Sequence, residues 1–256
     1  MKVIILAGGL GTRISEETNL IPKPMVRIGD MPIIYHIMKY YSSYGFNEFI
    51  ICCGYRSEVL KNFFLSLNST QNDLEINFIN NEIKFLGTKK NNWIVKLINT
   101  GKNTNTGGRV KRIEKFIGGD ENFLLTYGDG LSNINLKKLI DSHYKKKKII
   151  TVSGINNSSR FGEISIKKNK VKFIEKPKNN SIINGGYFVC NKKVFKFIKN
   201  RTTSIFERDT LTKVSIQNQL NIYLHKEFWY CMDNLRDKNY LNNLWNKNNA
   251  PWKIWK

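Results

Sequence analysis

Hydrophobic and polar positions along the chain alternate between two periods. Lys2 to Ala7 is an unbroken apolar run closed by Gly8-Gly9, the pattern of a strand buried on both faces. Met31 to Tyr44 carries apolar residues at Ile33, Ile34, Ile37, Met38 and Tyr41, a helical spacing with Pro32 near the first turn. Glu48 to Cys53 reads as a second buried strand closed by Gly54, and Ser57 to Leu65 as a short helix with Ser57 as a possible cap. Further strands are expected at Leu74 to Ile79, Trp93 to Ile98 and Phe123 to Tyr127, and helices at Gly107 to Ile117 and Leu136 to Lys147. A strand-rich stretch follows through Ile149–Ser153, Gly162–Ile166, Val171–Glu175 and Ile183–Cys190. Val194–Lys199 and Phe206–Gln217 read as helical, Ile222–His225 as a strand, and Leu235–Trp245 as a closing helix before an aromatic tail.

Repeated strand–helix alternation predicts an α/β chain: a Rossmann-like, mostly parallel sheet with helices on both faces, to which the later half adds antiparallel strands. At 256 residues, with no internal repeat, long linker or low-complexity tail, one domain over residues 1–256 is expected. Two halves are expected within it, one of strand–helix alternation over about 1–130 and a strand-rich one over about 131–256. No run reaches the roughly 18 apolar residues of a membrane span, and the first apolar run lacks a leader's cleavage pattern. A cytoplasmic protein is expected.

Charge and cysteine content adjust this picture little. The net charge of +22 raises the possibility of a polyanionic partner, including a non-catalytic polyanion-binding role. The lysines are spread along the chain, however, and the dense run Lys145 to Lys148 falls at a helix end, where cations suit the dipole. Small polyphosphate substrates account for part of the charge, and nucleic acid is not the expected partner. Cys52, Cys53, Cys190 and Cys231 form no C-x-x-C pair and read as buried free thiols in strands. His36, His143 and His225 are scattered, so no zinc cluster is expected.

The chemistry concentrates at strand ends. Gly8-Gly9-Leu10-Gly11-Thr12-Arg13 follows the first strand, where open α/β sheets bind ligands and where glycines let backbone N–H groups turn toward an anion. Ile14 removes the third glycine of a dinucleotide fingerprint, and no Gly-Lys-Ser/Thr follows, so neither that fingerprint nor a Walker A loop is present. A bare glycine cluster is equally a structural turn; Arg13, a rigid phosphate fork, and Lys23, fixed between Pro22 and Pro24, sharpen the reading. Asp129, in Tyr127-Gly128-Asp129-Gly130, is poised for a divalent ion or is a turn aspartate. Asp233 is its candidate second carboxylate or else a helix cap. Glu175-Lys176-Pro177-Lys178, Asn184-Gly185-Gly186 and the loop from Thr100 to Arg109 are weaker candidates that also suit ordinary turns and helix starts.

Together these segments resemble the sugar-1-phosphate nucleotidyltransferases over nearly the whole chain. The Gly-Gly-x-Gly-Thr-Arg loop and Lys23 mark the superfamily. The Thr-Gly-Gly-Arg segment at 106–109, Met232 to Asp237, and Ala250-Pro251-Trp252-Lys253 resemble its glucose-1-phosphate cytidylyltransferase branch. The resemblance implies the nucleotidyltransferase fold, CTP and glucose 1-phosphate as substrates, Mg²⁺ as cofactor, and a homo-oligomer, often a hexamer. The alternative within the fold is another acceptor phosphate, or UTP or dTTP. Leu6, Ala7, Gly8, Gly9 and Leu10 would lie along the nucleotide, and Gly11, Thr12 and Arg13 would hold its triphosphate. Thr104, Arg109 and Gly128 would complete the nucleotide site, with Arg13 and Lys23 catalytic. Glu175, Lys176, Asn184 and Gly185 would face the sugar phosphate, and Asp129 and Asp233 would hold the metal. The chain departs from the family pattern in the polar stretch Asn68 to Lys90 and at Asn234, where Thr is expected.

Overall fold

The computed structural model describes residues 1–11, 20–86, 91–157, 163–167, 170–174 and 181–255, with backbone alone for 157, 163–167, 170–174 and 181. A seven-stranded sheet organises them. Its strands are β1 (Val3–Leu6), β2 (Glu48–Cys53), β3 (Ile94–Asn99), β4 (Asn122–Tyr127), β6 (Ile150–Asn157), β7 (Ser181–Asn191) and β8 (Leu220–His225). Two short strands, β5 (Gly130–Ser132) and β9 (Trp229–Cys231), pair apart from it. Across the sheet the order is β8-β6-β7-β4-β1-β2-β3. All pairings are parallel except those of β7, which runs antiparallel to β6 and β4. The expected mixed α/β sheet is therefore present, and both halves of the chain contribute to it.

The alternating directions of side chains along β1 divide the core. Val3, Ile5 and Ala7 enter one apolar cluster, with helix α1 (Ile33–Ser42), while Ile4 and Leu6 enter the other. That second layer includes Val110 of α3 (Thr106–Arg112) and Ile117 of α4 (Glu114–Ile117). Helix α2 (Ser57–Gln71) lies between them in the chain. Helices α5 (Leu136–Lys146), α6 (Thr212–Ile216) and α7 (Leu235–Asn246) are the others among the described residues. From β1 the chain builds β2 and β3 on one side, then returns to place β4 on the other. This leaves a topological switch point between β1 and β4, where open α/β sheets bind ligands. Tyr127 lies beside Leu6 in register, so both strands end at one rim. Because β7 is antiparallel, with Tyr187 opposite Thr126, the Asn184 end of β7 lies near that rim.

Several expected elements differ. Met31-Pro32 forms a short ribbon with Arg27–Ile28, and the helix begins only at Ile33 because Pro32 is extended, with ψ of 151°. Helix α2 runs to Gln71 and has no Ser57 cap; left-handed Arg56 precedes it. The helix expected over Gly107–Ile117 breaks at Ile113, and Phe206–Gln217 divides into a π-helix, Phe206–Leu211, and α6. Val194–Lys199 is a 3₁₀ turn over Lys192–Phe197. The strand expected at Leu74–Ile79 spans Asp73–Asn77 and pairs with a second strand that was not expected, Glu82–Leu86, where Ile83 and Phe85 alternate with charged residues.

Candidate active site

A cavity of about 590 Å³ opens at the switch point. Its floor is the end of β1, Leu6 to Gly9, beside Tyr127, Gly128 and Asp129 at the end of β4. Two glycines make room here, Gly128 for a neighbouring backbone and Gly8 for the Arg109 guanidinium. A Cβ on Gly128 would meet Leu6 O at 3.0 Å and Pro24 Cγ at 2.8 Å, and a Cβ on Gly8 would meet Arg109 Nη1 at 2.0 Å. Arg109 is buried, and both terminal nitrogens are engaged: Nη2 donates to Gly8 O at 2.6 Å, and Nη1 to Thr100 Oγ1 at 2.8 Å and Gly101 O at 2.9 Å. Its fork ties the glycine loop to the loop before α3 while forming part of the wall.

The opposite wall is assembled by β9. Its antiparallel register sets Cys231 against Gly130, and Met232 N–H donates to Asp129 O at 2.9 Å. Asp129 and Asp233 thereby converge although they are distant in sequence. Asp233 is not the cap of α7. Asn234 accepts the Asp237 N–H at 3.0 Å, and the Asp237 carboxylate accepts the N–H groups of Asp233 and Asn234. This capping box satisfies the helix start. Asn234 thus serves as the cap that a threonine would provide, and the Asp233 carboxylate turns to Lys23.

Lys23 enters from a 3₁₀ turn, Lys23–Met25, held between extended Pro22 and Pro24. Its ammonium donates to Asp129 Oδ2 at 2.7 Å and to Asp233 Oδ1 at 2.7 Å. Burial works against the ammonium, but attraction to Asp129 and hydrogen bonds to both carboxylates outweigh it and raise its pKa above the usual lysine range. A side-chain cation therefore already sits between the two acids. Ligand atoms of Asp129, Asp233 and Cys231 lie within 4.8 Å of one another, a donor spacing into which a divalent ion fits.

Of the other expected site residues, Gly9, Gly11, Thr104 and Asn184 line the cavity, whereas Leu10 is 47% exposed away from it. Gly185 is buried, and its carbonyl accepts Trp229 Nε1–H at 2.7 Å. The glycines at 185 and 186 make room for Ser153 and the Tyr127 ring, protein groups rather than a ligand. Thr12, Arg13, Glu175 and Lys176 lie outside the described residues. Cys231 departs from its expected setting: it is half-buried against two acids, not enclosed among apolar strands. Burial, and then the charge of Asp129, push its thiol well above the usual range, so it stays protonated. Sequence reasoning did not select Tyr127, Trp229 or Cys231, all of which line the cavity. A period of two would have found Tyr127, two residues before Asp129, whereas Trp229 and Cys231 lie in a run too short to carry that signal.

The profile of the family described as nucleotidyl transferase matches residues 2–242. The chain belongs to the nucleotidyl transferase family. It is 44% identical over the full length of both chains to a glucose-1-phosphate cytidylyltransferase of Salmonella typhimurium. It is 42% identical, again over both full lengths, to a probable glucose-1-phosphate cytidylyltransferase of Bacillus subtilis. Among solved structures it resembles HddC from Yersinia pseudotuberculosis, with a TM-score of 0.70 at 25% identity, covering 95% of this chain and 99% of the other. As a nucleotidyl transferase, the chain carries its cavity at the switch point common to ligand-binding sheets of this class.

Proposed function

We propose that this nucleotidyl transferase converts CTP and α-D-glucose 1-phosphate into CDP-glucose and pyrophosphate. The full-length likeness to cytidylyltransferases supports the substrates. The observation that carries the chemistry is one ammonium bridging two convergent aspartates at the switch point. A phosphate oxygen of the sugar phosphate forms a bond to the α-phosphorus of CTP, the bond from that phosphorus to the β-bridging oxygen breaks, and pyrophosphate leaves. The nucleophile is ionised at neutral pH, so no general base is needed, in keeping with a cavity lined by no histidine. Bringing two anions together is the difficulty, and positioning with charge neutralisation supplies most of the rate.

Asp129 and Asp233 would hold a Mg²⁺ ion, which supplies positive charge to the phosphates. Lys23 is stationed to exchange carboxylate oxygens for phosphate oxygens. The Gly8–Gly11 loop receives the nucleotide, Thr104 and Arg109 shape the nucleotide wall, and Asn184 the sugar-phosphate wall; Arg13 as a triphosphate clamp, and Glu175 and Lys176 as sugar-phosphate contacts, are assigned by the family resemblance alone. Four free cysteines among the described residues suit the cytoplasm, and no described helix is long and apolar enough to cross a membrane. A homo-oligomer is supported by the exposed apolar side chains of the Asp73–Leu86 hairpin.

Pyrophosphate release with Mg²⁺ and glucose 1-phosphate, compared across CTP, UTP, dTTP and ATP, tests this reading. Release with CTP alone is expected. Release only with another nucleotide or another phosphorylated acceptor would keep the chemistry and overturn the substrate pair.

A further inference from the structure

Behind the cavity, one carboxylate that none of these roles uses joins its two walls. Glu207 lies in the first turn of the π-helix Phe206–Leu211. Such widened turns are rare and frequent at functional sites. Its Oε2 accepts the Thr106 hydroxyl at 2.6 Å, and its Oε1 accepts the Tyr127 hydroxyl. Thr106 and Tyr127 both line the cavity; Glu207 does not.

The two arms are built differently. Thr106 opens α3 on the nucleotide wall, and its Oγ1 also receives the Phe206 N–H at 2.9 Å, so the hydroxyl is fixed as both donor and acceptor. Tyr127 ends β4, and its hydroxyl accepts from Asn184 Nδ2 at 3.1 Å. Asn184 Oδ1 in turn accepts the Gly186 N–H at 2.8 Å. Gly186 has φ of +78°, and a Cβ there would come within 2.5 Å of Tyr127 Cδ2, so the ring and the strand carrying Asn184 are packed as one piece. Burial, followed by the Glu207 charge, raises the Tyr127 pKa and keeps its hydroxyl a donor at neutral pH. Hydrogen bonds to a carboxylate are stronger than those between neutral groups.

We propose that Glu207 is a positioning residue that fixes the nucleotide wall relative to the sugar-phosphate wall, one carboxylate oxygen to each. The proposal rests on the assignment of the two walls made under Proposed function. In-line transfer needs both substrates held near attack distance, and a carboxylate shared by the walls sets that separation without touching either substrate. Loss of the Tyr127 arm loosens the hydroxyl that Asn184 Nδ2 donates to, and loss of the Thr106 arm removes one of the contacts that hold the start of α3.

The test measures kcat and both KM values for the wild type and for Glu207→Ala, Glu207→Gln, Tyr127→Phe and Thr106→Val, with a thermal melt of each. Glu207→Ala is expected to raise both KM values by about tenfold. Tyr127→Phe should raise mainly the KM for glucose 1-phosphate, and Thr106→Val mainly that for CTP. Glu207→Gln, which keeps one acceptor oxygen and sets an amide N–H₂ against the other hydroxyl, should hold one arm and raise the KM of one substrate more than the other. A purely structural Glu207 would lower the active fraction, so that kcat falls while both KM values stand still; that result overturns the proposal. Should Glu207→Ala fail to fold, the two hydroxyl variants decide, and equal or absent shifts in the two KM values overturn it. Wild-type turnover is recorded first. Failure with CTP and glucose 1-phosphate counts against the function reading, and the KM values are then taken with the pair the nucleotide and acceptor panels identify.

Discussion

Removing the Lys23 ammonium has two separable consequences. Without it the phosphates lose a stabilising charge during transfer. Turnover of Lys23→Ala should therefore fall by at least about two orders of magnitude, a common cost for one electrostatic stabiliser; near-normal turnover would take Lys23 out of the mechanism. Asp129 and Asp233 also lose the cation that now sits 2.7 Å from each. Mn²⁺ binding to the nucleotide-free protein, followed by the electron paramagnetic resonance signal of free ion, should tighten by about tenfold, equivalent to ~1.4 kcal/mol. Unchanged Mn²⁺ affinity would mean that the lysine and the ion do not compete for these carboxylates. At this scale the sequence was informative wherever a special backbone marked the residue. Lys23 stands between prolines and Asp129 between glycines, and both face the cavity. Glu207 carried no such mark, because its role depends on Tyr127 and Thr106, 80 and 101 residues away, meeting it in space.

Some buried elements were legible to within a residue or two, whereas β6 runs on to Asn157 past its expected end at Ser153, and elements fixed by partners were not legible. Glu48–Cys53 and Leu136–Lys146 follow from apolar runs and helical spacing alone. Strand β9 does not, since three residues carry no period and only pairing with β5 makes them a strand. The aromatic tail is another case: its sequence shows rings but not their destination. Trp252 is fully buried, stacks on Phe228 with centroids 5.5 Å apart, and donates Nε1–H to His36 Nδ1 at 3.4 Å, while His36 Nε2 meets Ile28 O at 2.8 Å. Trp252→Ala should cost about 3–5 kcal/mol, the usual loss for a buried large aromatic, read as a lower denaturant midpoint. An unchanged midpoint would show that the tail does not contribute to the core. The same contact makes acid destabilising. Burial holds the His36 pKa down from 6.5 to about 4. The unfolded chain therefore binds the extra proton first, and stability falls as pH drops from 6.5 toward 4, by about 3 kcal/mol over the full span. The melting temperature of His36→Gln should accordingly fall less than that of the wild type between pH 7 and 4.5. Parallel slopes would assign the acid sensitivity to other groups.

For the whole molecule, one sheet binds both halves of the chain, yet one element stands apart from the two apolar layers. The Asp73–Asn77/Glu82–Leu86 hairpin has every strand residue exposed. Its turn leaves Phe78 84% and Ile79 96% exposed, with Ile83 at 60%. A two-stranded ribbon is marginal in water by itself and gains stability from a surface that covers its apolar side chains. Average polarity is a poor guide to this stretch: Ile83 and Phe85 alternate with Glu82 and Lys84 with the period of a strand, and Phe78 and Ile79 are apolar. A second copy of this chain is the cover proposed here, in keeping with the expected homo-oligomer. Phe78→Ser with Ile79→Ser touches neither Lys23 nor the carboxylates, so mass by light scattering can be read independently of folding. The wild type should run as an oligomer and the double variant as a smaller species with an intact circular dichroism spectrum. If the pocket is complete within one chain, the double variant should also retain its kcat. If its turnover collapses while its fold and Mn²⁺ binding persist, the neighbouring copy must supply part of the site. An unchanged mass would place the subunit contact elsewhere and leave the hairpin without that role.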